Sequence, residues 1–334
     1  MTLRDLIGEM DVAAVHGDPA VSVEGLALDS RRVRRGDLFF ALAGLRQDGG
    51  AFVDAAFAAG ACGAVITRGA TASRTPVIEV EDPRLALAQA ACSFHGHPSR
   101  ALTVVAVTGT NGKTTFTWML ESIFRAAGLR TGRIGTTGYR IDDETRPAPF
   151  TTPEAPELQG LLREMADVGV QAVALEASSH ALAQRRTYGL ECDVVAFTNL
   201  TQDHLDYHGN MEAYLDAKLM LFDGRNGARA KRAVAVVNAD DPSAARVIAA
   251  AARGGMAVVR VGTRQASELV VDELKILREG LGVRFMAGAL EASTPRGGWR
   301  QPPRRGGGNI DFVLPLLGRY NGINAALAGA AALA

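Results

Sequence analysis

From Thr103 onward, apolar runs of strand length alternate with helical segments. The strand-like runs are Thr103–Val107, Ala172–Leu175, Val194–Phe197, Ala233–Val237 and Ala257–Val261. After the first run, apolar residues recur every three or four positions from Phe116 to Ala127, which predicts one buried helical face before Gly128. Because parallel strands are joined by crossover helices that cover the sheet, this alternation predicts an α/β fold with a mainly parallel sheet covered by helices.

A smaller α/β domain is predicted ahead of this sheet, over residues 1–97. It contains two short apolar runs, Leu38–Leu42 and Ala64–Ile66, and a helical stretch that ends before a His-, Gly- and Pro-rich cluster at 95–99. Such clusters interrupt regular structure and mark boundaries. The second, central domain is therefore expected to span residues 98–334.

The C-terminal part has a different pattern. Leu269–Glu273, Leu281–Phe285 and Ile310–Leu314 are typical of shorter strands and predict a small antiparallel appendage to the central domain. The Pro-, Gly- and Arg-rich stretch 295–308 between them favours a flexible surface loop over a nucleic-acid-binding arm. The Ala-rich segment from Asn324 to Ala334 predicts a helix that stops without a cap, which is typical of a domain that has been cut short.

Composition excludes several classes of protein. The 36 basic and 36 acidic residues give a formal net charge of zero, which argues against a nucleic-acid partner. No apolar stretch approaches the roughly 18 residues of a membrane span, and the N-terminus lacks the apolar core of a secretory signal. The three cysteines are far apart in sequence, as in proteins of reducing compartments. We expect a cytoplasmic monomer with no membrane partner.

The strongest local motif is VTGTNGKTT at 107–115, placed between a predicted strand and a predicted helix. Glycines allow close backbone approach to phosphate oxygens, and successive amides with a helix N-terminus attract anions. Lys113 is suited to the β- and γ-phosphates and the Thr114 hydroxyl to Mg²⁺. The first glycine of the usual phosphate-loop pattern is replaced by Val107. The predicted ATP-binding residues here are Gly109, Thr110, Asn111, Gly112, Lys113, Thr114 and Thr115.

Further motifs follow in a fixed order. They are FTTPEA at 150–155, EASSHAL at 176–182, FTNLTQDHLDYHG at 197–209, AK at 217–218, NADDP at 238–242 and GRYNGIN at 318–324. Together with TGTNGKTT, this set resembles the Mur ligase family, and within it the MurE type. LDSR at 28–31 and GDLF at 36–39 resemble the N-terminal domain of the same family, so the resemblance covers nearly the whole chain. The family has a third, C-terminal domain that binds the amino acid, and the resemblance implies that this domain is absent here.

The resemblance implies an ATP-dependent amide ligase of peptidoglycan precursor synthesis, with ATP and Mg²⁺ as cofactors. In such a reaction the D-glutamyl carboxylate of UDP-MurNAc-L-Ala-D-Glu attacks the γ-phosphate, and the amine of a diamino acid then attacks the acyl phosphate. We expect meso-diaminopimelate, the commoner bacterial substrate. The alternatives are a lysine-adding ligase of the same type, a folylpolyglutamate synthase, and a truncated non-catalytic protein that binds UDP-muramyl-peptide or ATP.

The resemblance also implies roles for individual residues. The catalytic set is Lys113, Lys218 and His204, and the metal ligands are Thr114, Glu176, His204 and Lys218 as a carbamate. Asn321 would contact ATP on its adenine side. The substrate-binding residues are Leu28, Ser30, Thr151, Thr152, Ser178, Gln184 and Arg186. Two of these roles also suit the residue types: Glu176 follows a buried strand at the sheet edge where ligands bind, and a guanidinium such as that of Arg186 suits carboxylates and phosphates.

Overall fold

A computed structural model of the chain describes residues 1–43, 49–227, 230–264, 267–277, 280–287, 310–314, 316 and 318–334. The loop expected at 295–308 lies outside these residues. The chain divides into two compact units. The first comprises Met1–Pro98, Glu154–Arg163 and Gln184–Leu190, and the second comprises Ser99–Pro153, Glu164–Ala183 and Glu191–Ala334.

The first unit contains a five-stranded sheet. Its strands are β1 (Val12–His16), β2 (Gly25–Ala27), β3 (Asp37–Phe40), β4 (Gly63–Thr67) and β5 (Val77–Val80), and its helices include α1 (Leu3–Ile7), α2 (Val53–Ala58) and α3 (Pro83–Phe94). The strand order is β1-β5-β4-β3-β2, with β1 antiparallel and the other pairings parallel. Alternate residues of the strands face two apolar clusters: Leu38 and Phe40 enter one, and Phe39 enters the other.

The remaining chain forms an eleven-stranded sheet. Its strands are β6 (Thr103–Thr108), β7 (Thr131–Gly135), β8 (Gly138–Ile141), β9 (Glu144–Arg146), β10 (Ala172–Glu176), β11 (Val194–Phe197), β12 (Val234–Asn238), β13 (Ala257–Gly262), β14 (Leu269–Leu277), β15 (Gly280–Ala287) and β16 (Ile310–Leu314). The helices after β6 are α4 (Lys113–Ala126), α5 (Ala155–Asp167), α6 (Ser179–Ala183), α7 (Leu205–His208), α8 (Met211–Leu219), α9 (Ala244–Arg253) and α10 (Arg319–Leu333).

The central strands β14-β13-β12-β11-β6-β10-β7 are all parallel, and antiparallel strands extend both ends of the sheet. The predicted α/β class, with a mainly parallel sheet and an antiparallel appendage, is confirmed. Val104–Val107 in the central strand β6 are buried on both faces, which explains their continuous apolar run. Phe116 and Leu120 of α4 pack with Ala326 of α10 in one apolar cluster.

Three details differ from the sequence predictions. Helix α10 begins at Arg319 rather than Asn324, because Gly318 at φ +100° precedes the first turn and its carbonyl accepts from the Asn321 amide at 3.0 Å. Helix α8, which the sequence predicts to run from Met211 to Phe222, ends at Leu219, and a turn follows. Strand β7 was not predicted, because its polar and glycine residues give no apolar run. Among the described residues, none of the helices is both long and apolar enough to cross a membrane.

Candidate functional site

The glycine-rich loop joins the carboxyl end of β6 to the first turn of α4, and its glycines are required by shape. Gly112, the residue before Lys113, has φ +88°, and a Cβ there would lie 2.7 Å from the Asn324 side-chain oxygen. Gly109 has φ +150°, and a Cβ there would overlap the Thr198 hydroxyl. Only glycine fits both positions without displacing these neighbours.

The segment after β11 holds this loop in place. The Asn199 side-chain oxygen accepts from the Asn111 amide at 3.0 Å, and its nitrogen donates to the Asn111 carbonyl at 3.0 Å. The Thr110 hydroxyl donates to the Thr201 carbonyl at 3.1 Å, and the Thr201 amide donates back to that hydroxyl at 3.0 Å. The loop is therefore fixed by protein contacts alone, which is the condition for preorganised anion binding.

Two lysines converge on the loop. Lys113 Nζ donates to the carbonyls of Gly109 and Thr110, both at 2.9 Å. Lys218 Nζ donates to the same Gly109 oxygen at 2.8 Å and lies 4.3 Å from the ring centroid of Tyr214. Lys218 is only 1% exposed.

The two lysines differ in their electrostatic surroundings. Burial, with a further contribution from the charge of Lys113, lowers the pKa of Lys218 to about 6. Burial also lowers the pKa of Lys113, while the carboxylates of Glu176 and Asp203 oppose that effect. Lys218 is therefore mainly a neutral amine at pH 7, in the form that can act as a nucleophile.

Glu176 ends strand β10 and is fully buried. Its carboxylate accepts from the Thr114 hydroxyl at 3.0 Å, the Thr136 amide at 3.1 Å and the Thr136 hydroxyl at 3.2 Å. Because β10 lies beside β6 in parallel register, the carboxylate reaches the start of α4 at the carboxyl edge of the sheet. Sequence reasoning placed Thr114 and Glu176 together, and they are in contact.

This donor set suits Mg²⁺, which prefers hard oxygen ligands. Within the described part of the chain, no group of three or more His, Cys, Asp and Glu side chains is arranged to hold a metal. Thr114 and Glu176 would therefore supply two protein oxygens, and water and phosphate would supply the remainder, as is usual for Mg²⁺ in nucleotide sites.

The hydroxyls predicted to bind substrate are connected to Glu176. The Thr152 hydroxyl donates to the Glu176 carbonyl at 2.7 Å and accepts from the Ser178 amide at 3.1 Å. The Thr151 and Thr136 hydroxyls are 3.0 Å apart. Thr136 thus joins the carboxylate to a predicted substrate contact; sequence reasoning missed it, and the only signal was its place after a Gly-rich strand.

His204 lies apart from this hydrogen-bonded group. Its backbone is left-handed, with φ 52°, its Nε2 is 3.5 Å from an Asp203 oxygen and its ring centroid is 4.7 Å from that of His180. Among the described contacts, no hydrogen bond joins it to Glu176 or Lys218. His180 also packs on His208, whose pKa is lowered to about 4, chiefly by burial.

Asn321, the predicted adenine-side contact, lies in the first turn of α10 and is 6% exposed. Asn324, one turn later, is the neighbour of Gly112. The amino-terminal part of α10 is thereby positioned at the glycine-rich loop.

The other four predicted substrate residues, Leu28, Ser30, Gln184 and Arg186, belong to the first unit. Ser30 opens a short 3₁₀ helix that is capped by the Asp29 side chain, which accepts from the Arg31 amide at 3.0 Å. Arg186 Nε donates to the Gln184 side-chain oxygen at 3.0 Å, and an Arg186 Nη lies 3.0 Å from Glu154. The guanidinium is thus held in one orientation, which suits it to bind an anion bidentately.

The sequence matches two domain descriptions of one known protein family. Residues 107–332 match the family described as "Mur ligase middle domain", and residues 22–95 match "Mur ligase family, catalytic domain". The chain belongs to the Mur ligase family.

Relatives of this Mur ligase chain carry one recurring name. This chain is 40% identical over 341 aligned residues to the UDP-N-acetylmuramoyl-L-alanyl-D-glutamate--2,6-diaminopimelate ligase of Geobacter metallireducens. The alignment covers 100% of this chain and 62% of the relative. It is 38% identical to the ligase of the same name from Geobacillus kaustophilus, covering 100% and 64%. It is also 38% identical to the UDP-N-acetylmuramyl-tripeptide synthetase of Deinococcus radiodurans, covering 99% and 63%. The Mur ligase chain therefore spans a little under two thirds of the length of these relatives.

Solved structures agree with this grouping. A structure described as UDP-N-acetylmuramoyl-L-alanyl-D-glutamate--2,6-diaminopimelate ligase superposes with a TM-score of 0.81 at 27% identity, covering 99% of this Mur ligase chain and 63% of that one. MurF from Acinetobacter baumannii superposes with a TM-score of 0.64 at 23% identity, covering 99% and 65%, and shares the fold.

Proposed function

We propose that this chain provides the nucleotide- and UDP-substrate-binding parts of an ATP-dependent ligase that adds meso-diaminopimelate to the D-glutamate of UDP-MurNAc-L-Ala-D-Glu. The observation that carries the proposal is the contact of Thr114 with the buried Glu176 carboxylate beside a glycine-rich loop whose Gly109 carbonyl accepts from two lysines. The names of the relatives support the choice of substrates. Lysine in place of diaminopimelate is the alternative.

The two predicted domains would bind different substrates. Residues 1–97 would bind the UDP part of the substrate through Leu28 and Ser30, and residues 98–334 would bind ATP. The three cysteines, all within the described part of the chain, form no disulfide bond, which supports a cytoplasmic location. We further infer that the protein acts as a monomer without nucleic-acid or membrane partners, in agreement with its zero net charge.

The chemistry requires two anions to meet, because the D-glutamyl carboxylate must attack the γ-phosphate of ATP. Lys113 and the amides at the start of α4 would neutralise the phosphates, and phosphoryl transfer depends mainly on such positioning and charge compensation. Bound Mg²⁺, held by Thr114 and Glu176 with His204 as a candidate second-site ligand, would supply further positive charge. Thr151, Thr152 and Ser178 would bind the glutamyl group close to Glu176.

The reaction then balances in two steps. The carboxylate oxygen bonds to the γ-phosphorus while ADP leaves, which gives an acyl phosphate. The amine of the diamino acid attacks the acyl carbon, phosphate leaves with the bonding electron pair, and the amine loses a proton. Asn321 would contact ATP on the adenine side, and Gln184 and Arg186 would hold the anionic muramyl-peptide in the first unit.

Lys218 would act as a carbamate. Its neutral amine adds to carbon dioxide and loses a proton, which replaces a cation by an anionic carboxylate-like group. Such a group would orient Mg²⁺ near the phosphates, whereas an ammonium would repel the metal.

The test uses the full-length native protein. It is incubated with ATP, Mg²⁺, bicarbonate and UDP-MurNAc-L-Ala-D-Glu, with either meso-diaminopimelate or lysine, and phosphate release and UDP-tripeptide are measured together. We expect one phosphate per tripeptide with diaminopimelate only. Product with lysine alone would change the amino acid assigned. Saturable binding of ATP and UDP-dipeptide without product would support the non-catalytic alternative, and binding of neither would overturn the proposal.

A further inference from the structure

One face of helix α4 is directed at the hairpin formed by β7 and β8. Thr114, Trp118 and Glu121 are spaced four and three residues apart, so they lie on the same side of the helix. Trp118 Nε1 donates to the Thr137 hydroxyl at 3.2 Å. A Glu121 oxygen accepts from Arg133 Nε at 2.8 Å. Helix α4, which begins at the glycine-rich loop, therefore contacts the hairpin through side chains on successive helical turns.

The contact between Glu121 and Arg133 is a buried ion pair, with side chains 3% and 1% exposed. Burying two charges costs desolvation energy that their attraction offsets only with good geometry, so such a pair is weak evidence for a role in stability alone. Here the geometry is specific. The Arg133 guanidinium carbon lies 3.9 Å from the Trp118 ring centroid, and its Nη1 donates to the Thr137 hydroxyl at 2.5 Å.

The second strand of the hairpin places a cation beside the same carboxylate, without a hydrogen bond, because Arg140 Nε donates to the Asp142 carbonyl at 2.7 Å. Arg140 Nε, in β8, lies 3.2 Å from the other Glu121 oxygen. Glu121 thus binds a cation from each strand on either side of the turn, Thr136–Thr137. This leaves the turn little freedom to shift along or away from α4.

The turn in turn orients Glu176. Thr136 donates to both oxygens of the Glu176 carboxylate, through its amide and its hydroxyl. A Cβ on Gly135, the residue before the turn, would overlap that carboxylate, so backbone and carboxylate are closely packed. A small displacement of the turn would rotate the carboxylate away from Thr114.

We infer that Arg133, Glu121 and Thr137 are positioning residues: through the Thr136 turn they aim the Glu176 carboxylate at the metal–phosphate position beside Thr114. The inference rests on the proposed function, because it concerns the metal role assigned there to Glu176. None of the three residues belongs to the predicted ATP-binding, substrate-binding or metal-binding sets. Their effect is transmitted by the hydrogen bonds of one two-residue turn.

The main test variant is Thr137→Val, which keeps the side-chain shape and leaves the Glu121–Arg133 pair intact. Thr137→Ser restores the hydroxyl, and Thr145→Val is the matched control on the exposed strand β9 of the same hairpin region. A double variant, Glu121→Leu with Arg133→Met, removes both charges together, so that neither is left buried without its partner.

Two measurements are made on the full-length protein. Hydrogen exchange of the Thr136 amide, without ligands, reports the bond to Glu176 directly. The Mg²⁺ concentration that gives half-maximal ATP turnover reports the metal position, and loss of folded protein alone would not move it. Thr137→Val removes the acceptor of two hydrogen bonds, from Trp118 and Arg133, so we expect the exchange rate and the Mg²⁺ requirement each to increase about tenfold. Thr137→Ser and Thr145→Val should stay close to wild type.

The possible outcomes test the role of these positioning residues separately from the proposed function. Unchanged Thr136 exchange in Thr137→Val and in the double variant would overturn the inference, whatever the activity. Faster exchange with an unchanged Mg²⁺ requirement would overturn the transmission from the turn to the metal. If the wild-type protein shows no Mg²⁺-dependent use of ATP, the proposed function fails, while the exchange data still decide whether these residues hold the turn.

Discussion

Lys113 and Lys218 donate to one and the same oxygen, the Gly109 carbonyl, at 2.9 and 2.8 Å. Two ammonium groups so close to each other would repel, and one of them is fully buried. The pKa of about 6 at Lys218 follows from that burial and from the charge of Lys113. One cation, Lys113, and one neutral amine, Lys218, therefore contact the glycine-rich loop.

The first prediction concerns stability and pH. The pKa of Lys218 falls from 10.5 to about 6 on folding, so between these values the unfolded chain binds more protons and wild-type stability rises with pH. In bicarbonate-free buffer, Lys218→Met removes this penalty. We expect the variant to be more stable near pH 6 by several kcal/mol, since the lost hydrogen bond to Gly109 offsets only about 1 kcal/mol of the gain.

Urea unfolding across this pH range checks the prediction. The advantage of Lys218→Met should shrink steadily as the pH approaches 10.5. A difference that does not vary with pH would show that Lys218 is not buried as a neutral amine.

The second prediction is that Lys218 forms a carbamate. Protein equilibrated with ¹³C-labelled bicarbonate should show one carbamate carbon signal by NMR, because the neutral amine is the reactive form. Lys218→Met should lack the signal, and Lys231→Met should retain it, since Lys231 is held by an ion pair with Asp193 at 2.7 Å. A signal that survives in Lys218→Met would assign the modification elsewhere.

The third prediction distinguishes two glycines with similar backbone. Gly112 and Gly128 have φ of +88° and +80°, but a Cβ at Gly112 would meet Asn324 and one at Gly128 would meet nothing within 4 Å. Both alanine variants should lose about 1 kcal/mol of stability from the left-handed backbone. Of the two variants, only Gly112→Ala should weaken ATP binding, by about tenfold or more, because the added Cβ forces the glycine-rich loop to move away from Asn324.

Calorimetric titration with ATP, together with thermal unfolding, measures both effects. Equal ATP affinity in the two variants would contradict the assignment of this loop to phosphate binding.

The fourth prediction concerns Glu176. Glu176→Gln keeps the size of the side chain but removes the charge that would bind Mg²⁺. Mg²⁺-dependent ATP turnover should fall about tenfold to a hundredfold, while binding of metal-free ATP changes little. The control is Glu144→Gln on β9, whose exposed carboxylate pairs with Arg146 at 2.8 Å. Equal losses in both variants would indicate general destabilisation.

The fifth prediction compares two adjacent arginines. Arg186 is held by Gln184 and Glu154, and lysine cannot reproduce its bidentate geometry. Arg186→Lys should raise the KM for UDP-MurNAc-L-Ala-D-Glu about tenfold, the range of one lost charge-assisted hydrogen bond, with an unchanged KM for ATP. Arg185→Lys should leave both constants unchanged. The reverse result would move the substrate contact to Arg185.

The sequence predicted the parts of the site that depend on local pattern. The strand β6, the turn at Gly109–Gly112 and helix α4 follow from an apolar run, two glycines and a helical repeat, all within one short segment. Glu176 was assigned from the family resemblance, and its position at the end of a buried strand agreed with that role. The burial of Lys218 could not be derived in this way, since a lysine in a helix is ordinarily exposed, and only the family resemblance suggested its role.

Contacts between distant segments were not predictable. Strand β7 contains Arg133, a residue that argues against a buried strand until its partner Glu121, twelve positions earlier in α4, is known. Thr136 belongs to no motif, and its role arises from the pairing of β7 with β10, which brings the turn next to Glu176. These features depend on which strands become neighbours, and hydrophobic periodicity does not carry that information.

The first compact unit is assembled from three stretches of chain, the last of which ends at Leu190. During synthesis, more than fifty residues of the second unit leave the ribosome before Glu154. The first unit therefore cannot be complete until this part of the second unit has also been synthesised. A fragment ending at Pro98 would lack two of its stretches. Without them, the surface of α3 at Ala88 and Ala91, which packs against Ala155 and Tyr188, would be exposed to water.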